Sequence, residues 1–191
     1  QAVVDAGGGV EVVAAMRRCP SEMAVQANGC AALFEIARCG GAWAQAVVDA
    51  GGGVEVVAAM RRYPSEKAVQ ANGCGVLVEI ARCGGAYAQA VVDAGGVAAV
   101  VAALQAHPSE KAVQGNGCSA LFEIARCGGA WAQAVVDAGG VAAVVAAMRR
   151  CPSEMAVQGN GCAALFEIAR CGGACAQAVA AAGGAAAVVA A

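Results

Sequence analysis

The chain is 191 residues long, 60% apolar by residue type yet only 4% aromatic, and sets 12 Lys and Arg against 14 Asp and Glu for a net charge of −2. Without a clustered basic field to neutralise phosphates, the composition argues against a nucleic-acid binder. A mean hydropathy of +0.63, carried largely by small residues including 27 Gly, implies a core of short side chains and close backbone approach.

The segment QAVVDAGG recurs at Gln1, Gln45, Gln89 and Gln133, and Pro20, Pro64, Pro108 and Pro152 keep the same 44-residue register. The chain therefore divides into units 1–44, 45–88, 89–132 and 133–176 and a remnant 177–191, with no linker between them. Such a period predicts one all-α, quasi-linear array whose units bury apolar surface against their neighbours.

In the unit 45–88, Ala44 to Gly51 reads as a short helix ended by Gly51, Gly52 and Gly53, since glycine accepts the left-handed conformation common past a helix terminus. Gly53 to Arg62 follows as a second helix, with Val54, Val57 and Met60 at helical spacing and Arg61 and Arg62 where the macrodipole favours cations. Tyr63-Pro64 ends it. Ser65 is expected to cap a longer third helix with Glu66 in its first turn and Arg82 in its last, and Gly84 and Gly85 to close the unit.

The third helix carries two faces. Val25, Gly29, Ala32, Leu33 and Ile36 recur at three- and four-residue steps and should face inward, while Asn28, Ala31, Glu35 and Arg38 fall opposite. A mid-helix glycine, at Gly29, Gly73, Gly117 and Gly161, costs about 1 kcal/mol against alanine, which makes sense where another helix crosses tightly.

The stretch Ala132–Gly173, with VVDAGG at the turn between first and second helices and CAALFEIA in the third, resembles the armadillo repeat. The resemblance covers essentially the whole chain and implies an armadillo-type right-handed α-solenoid of four full repeats plus a partial fifth. It also implies third helices lining a concave groove and a role in protein recognition. Peptide-binding members such as importin-alpha commonly place a Trp, and four residues later an Asn, on the third helix. Here those positions hold Ala31, Gly75, Ser119 and Ala163, and Glu35, Glu79, Glu123 and Glu167, so the usual peptide clamp is absent.

The candidate partner-binding residues on the concave face are Asn28, Asn72, Asn116 and Asn160, the glutamate row, and Arg38, Arg82, Arg126 and Arg170. A glutamate row suits a basic or polar segment. Each Glu, however, has an Arg three residues later, an ordinary helix-surface pair of about 0.2–0.5 kcal/mol, and that second reading is favoured because it leaves the groove polar but near neutral. Trp43, Tyr87 and Trp131 sit at the entry to the next unit, as inter-repeat packing or as partner anchors. Because the units are so alike, recent duplication could by itself account for recurring residues.

Catalytic constellations are missing. His107 is the one histidine and is expected to be a solvated loop residue; Asp5, Asp49, Asp93 and Asp137 border the glycine turns and are expected to bond free backbone amides there. No GxxxxGK[ST] and no CxxC occurs, so no phosphate loop, metal site or cofactor is expected. Of the 11 cysteines, eight repeat with the units, at Cys30, Cys74, Cys118 and Cys162 and at Cys39, Cys83, Cys127 and Cys171. Paired within a unit they would lie about 13 Å apart along one helix, too far for a disulfide. They read as free thiols of an intracellular protein, cytoplasmic or organellar and not secreted.

The chain starts in phase with the repeat without an initiator Met and stops within an expected second helix, as a portion of a longer array would. Together with the preceding CGGAC the uncharged remnant is long enough to cross a bilayer, but its break at Gly183-Gly184 and its alanine content argue against a span, leaving membrane contact through a partner. Two functions remain open: a non-enzymatic interaction module or scaffold binding a protein partner through its repeat surface, and a structural subunit docking into a larger complex through the array or its apolar C-terminal end.

Overall fold

A computed structural model describes residues 7–191. The first helix expected for unit one, with Asp5, lies outside them. The described residues form thirteen helices and no strand. In chain order these are α1 (Gly8–Arg18) and α2 (Met23–Arg38); α3 (Ala42–Asp49), α4 (Gly52–Arg62) and α5 (Lys67–Arg82); α6 (Gly85–Asp93), α7 (Gly96–Ala106) and α8 (Lys111–Ala125); α9 (Gly129–Asp137), α10 (Gly140–Arg150) and α11 (Met155–Arg170); and α12 (Gly173–Ala181) and α13 (Gly184–Val189). First helices begin about three residues ahead of the repeat boundary: Gly84 ends one unit, as expected, but Gly85 already belongs to α6.

The turn between first and second helices is compressed into two residues, Ala50 and Gly51. Gly51 has φ 79°, donates its N–H to Val48 O at 2.8 Å and is also the N-cap of α4. Gly52 follows it so closely that a Cβ there would lie 2.8 Å from Val47 O. Both glycines are steric requirements.

The third helix does not start at Ser65. Its N-cap is Glu66, in extended conformation and without a side-chain cap bond. Glu66 N–H donates to Tyr63 O, closing a turn with Pro64 and Ser65 at its tip, and the helix can begin only beyond that turn.

The α2, α5, α8 and α11 helices stack side by side, each also packing on the second helix of its own unit. Leu33, Leu77, Leu121 and Leu165 and Ile36, Ile80, Ile124 and Ile168 are buried at that junction. Val25 and Ala32 of the expected inward stripe stay half-buried in unit one, whereas their counterparts further along are buried. The mid-helix glycines do mark tight crossings: a Cβ at Gly73 would lie 2.7 Å from Met60 Cγ and Sδ, and one at Gly117 would lie 2.6 Å from Leu104 Cδ2 and 2.8 Å from Cγ. Met60 can swing away; the branched Leu104 is stiffer. Helix propensity returns about 1 kcal/mol on Gly→Ala and overpacking removes about 1–3 kcal/mol. Thermal melts should therefore show Gly73→Ala close to neutral and Gly117→Ala destabilised.

Gln26, Gln70, Gln114 and Gln158 form a buried row with no counterpart in the sequence reading. Each Nε2 donates to two carbonyls at the end of the second helix; for Gln114 they are Leu104 O at 2.8 Å and His107 O at 2.9 Å. A helix leaves its last four carbonyls without intrahelical donors, and here one side chain from the next helix satisfies that of Leu104 and adds a second donor to His107 O, which also accepts from Glu110 N–H at 3.1 Å.

His107 is likewise buried, not solvated. Its Nε2 lies 2.7 Å from Pro64 O of the preceding unit. The equivalent Tyr63 hydroxyl donates to Pro20 O at 3.2 Å, and Cys151 Sγ lies 3.9 Å from Pro108 O. The residue before Pro64, Pro108 and Pro152 thus latches its turn onto the turn behind it. Asp49, Asp93 and Asp137 do not bond the glycine turns; they accept from Gln45, Gln89 and Gln133, one turn earlier on the same helix. Helical side chains lean toward the N-terminus, which brings the two together.

Candidate functional site on the third-helix face

The stacked third helices enclose a shallow groove that runs over all four units, from Phe34 through Gly75 and Val78 to Gly115, Ser119 and Asn160. Its floor is made of small residues for a local reason. The Phe34 ring sits where a Cβ on Gly75 would be, within 2.8 Å, so a Trp at that position would have to displace the aromatic ring of the unit behind it. Phe34 also lies under Arg38, whose guanidinium carbon is 5.8 Å from the ring centre.

The glutamates on this face divide into two kinds. Glu35 is exposed and pairs with Arg38 at 3.6 Å, and Glu167 pairs with Arg170 within its helix, much as the spacing indicates. Glu79 and Glu123 are instead buried. Arg82 donates to both carboxylate oxygens of Glu79 at 3.2 Å and, across the repeat boundary, to Glu123 at 3.2 Å. Arg126 closes on Glu123 from the other side. The expectation of isolated surface pairs is thus corrected for the two central units. The third helices approach so closely there that one arginine spans two of them, and the result is a continuous Glu–Arg–Glu–Arg chain whose carboxylates face inward and whose guanidiniums stay half in solvent.

The asparagines divide differently, the first two units against the last two. Asn28 is exposed and Asn72 half-buried. Asn116 donates to Ala71 O at 2.9 Å and Asn160 to Gly115 O at 3.3 Å, each one unit back. Two further cross-unit pairs rim the groove and were not evident from within-helix spacing, Lys67–Glu110 at 2.6 Å and Lys111–Glu154 at 2.5 Å. Trp43, Tyr87 and Trp131 are half-buried against the core, outside the groove. Trp131 reaches to 3.4 Å from where a Cβ on Gly85 would stand, a contact with the preceding first helix.

All 11 cysteines are unpaired. Burial pushes the thiols of Cys30, Cys74 and Cys118 up to about 12. Because their folded values lie above the unfolded one, the unfolded chain loses these protons first as pH rises, and stability falls above pH ~9 while staying level below it. Urea midpoints at pH 8 and 10.5 should differ, and by less in a triple Cys→Ala variant. An alkylating reagent at pH 8 should label the exposed Cys39 of the native protein and spare Cys74 until it unfolds.

No single helix among the described residues is long and apolar enough to cross a membrane, and the remnant is bent into two short helices at Gly183. No family model matches the sequence, and no curated protein does. Solved structures do. An engineered protein is 32% identical with a TM-score of 0.82, covering 97% of this chain and 72% of its own. A set of computationally designed armadillo repeat proteins for modular peptide recognition is 23% identical with a TM-score of 0.85, covering 98% and 75%. A designed armadillo repeat protein in complex with the peptide (KR)4 is 19% identical with a TM-score of 0.83, also covering 98% and 75%. Three-helix units, glycine-turned and stacked on their third helices, and a match to those designs over nearly the full length of this chain, make it an armadillo-repeat solenoid by fold.

Proposed function

We propose that the chain is a non-enzymatic recognition module that takes an extended polypeptide segment along its third-helix groove. The observation that carries this is the groove itself: beside the Phe34 ring, three units present small residues on its floor, with half-exposed Asn116, Asn160 and Ser119 within reach and charges that are already paired. Such a surface selects by shape and by hydrogen bonds to a peptide main chain more than by net charge, since Glu79 and Glu123 are committed to Arg82 and Arg126. That a designed protein of the same fold was solved with the peptide (KR)4 supports the geometry as a peptide seat, though not that peptide as the ligand. Unpaired thiols in every unit support an intracellular setting.

The test is a display library of random extended peptides selected on the protein, with binders measured against Ser119→Trp, which fills the groove, and Ala98→Trp, an exposed site on a second helix. Ser119→Trp should weaken binding at least about tenfold, ~1.4 kcal/mol, and Ala98→Trp should not. Equal affinity for both variants, or no selected peptide, would overturn the reading.

A further inference from the structure

We propose that the ligand of the third-helix groove is an acidic peptide, an extended segment with a carboxylate side chain at about every third position over units two to four. This rests on the groove reading above and gives its occupant a charge. The pairing of charges along the groove is one-sided. The side chains of Arg82, Arg126 and Arg170 are 51%, 40% and 54% exposed, whereas those of Glu79, Glu123 and Glu167 are 11%, 6% and 16%. The rim leans the same way, with Lys67 and Lys111 standing further into solvent than Glu110 and Glu154. Unit one lacks the bias, since Glu35 is at least as exposed as Arg38.

The hydrogen bonds identify the donors left over. Arg82 donates from Nε to Glu123 and from Nη1 to Glu79, Arg126 from Nε to Glu123 and from Nη2 to Arg82 O, and Arg170 from Nε and Nη2 to Glu167. Each guanidinium therefore keeps one amino group with no acceptor among the described residues: Nη2 of Arg82 and Nη1 of Arg126 and Arg170. Both oxygens of Glu79 and both of Glu123 already accept. From afar each Glu–Arg pair is neutral, and exposed charges are screened within about 8 Å at physiological salt, so contact decides. A peptide lying on this face meets spare N–H donors and few carboxylates. The acceptor that best matches a guanidinium is itself a carboxylate, whereas a lysine or arginine in the same place would face cations. Packed helices stand about 8–10 Å apart and an extended chain advances about 3.3 Å per residue, which sets the spacing at roughly one acidic residue in three.

The probes are three rhodamine-labelled peptides, each three copies of one triplet: Glu-Thr-Ser, its neutral twin Gln-Thr-Ser and its cationic twin Lys-Thr-Ser. Anisotropy titrations should show the glutamate peptide binding at least about tenfold more tightly than either twin, and losing most of that margin in about 0.5 M NaCl. Ser119→Asp, which sets a carboxylate on the half-exposed groove floor, and Lys111→Gln, on the exposed rim, should each weaken the glutamate peptide and leave the neutral twin within about twofold. Melting curves show that each variant folds, and Lys111→Gln carries the test if Ser119→Asp does not. No binding of the glutamate peptide, equal affinity for all three, a preference for lysine, or a glutamate preference indifferent to the variants overturns the acidic ligand. Ser119→Trp separates the two readings. If it blocks selected peptides that hold no acidic residue, the groove stands and the acidic ligand falls; if it blocks none, both fall.

Discussion

Glu123→Lys should destabilise the protein by about 3–5 kcal/mol, the cost of breaking a buried ion pair and stranding its partner, and Glu35→Lys by less than about 1 kcal/mol. The two residues occupy the same place in the repeat. Glu123 is 5% exposed, between Arg82 and Arg126, and a lysine there would bury a third cation beside them. Glu35 is exposed beside a single exposed arginine. Urea denaturation followed by circular dichroism measures both. Similar losses at the two positions would mean that the arginines alone do not set the difference. Charge reversal at Glu79 or Glu123 is for the same reason a test of folding, not of ligand binding.

The second large effect is expected at a residue with no charge. Gln114→Leu keeps the apolar volume but strands the carbonyl of Leu104, whereas His107 O keeps the Glu110 N–H at 3.1 Å, and for one buried acceptor left unpaired the loss should reach about 1–3 kcal/mol. Gln114 Oε1 has no partner among the described residues, so the side chain serves there as a pair of donors. Gln114→Glu, which removes the donors and buries a carboxyl, should cost more than the leucine. The comparison is read from denaturant midpoints of the two variants.

The repeat, its three helices and its inward stripe were legible because they depend on period and on glycine, both local properties of the sequence. Gly51 ends one helix and opens the next wherever it recurs, and Gly73 predicts a close crossing before any crossing is seen. What lay beyond local reading were contacts one unit away. Glu123 looks like an i,i+3 partner of Arg126 until α5 brings Arg82 against it. His107 looks like a loop residue until the Pro64 carbonyl of the previous turn is placed beside its ring. Gln114 is a case within one unit: the proline marks where the second helix ends, but nothing in the spacing says that this side chain turns back onto the carbonyls of Leu104 and His107. In a solenoid, side-chain roles are set at 44-residue separation, and a reading confined to one unit sees half of each bond.

The latch before Pro64, Pro108 and Pro152 has a consequence for how these repeats can diverge. Tyr63, His107 and Cys151 differ in size, polarity and acidity, yet all three reach a main-chain carbonyl. Such an acceptor survives every substitution of the residue that carries it, so one half of the contact is immune to mutation and the other can wander among donors of suitable reach. Variation at this site is therefore a record of tolerance, and a comparison of repeats that weighted it as a signature of different partners would be misled.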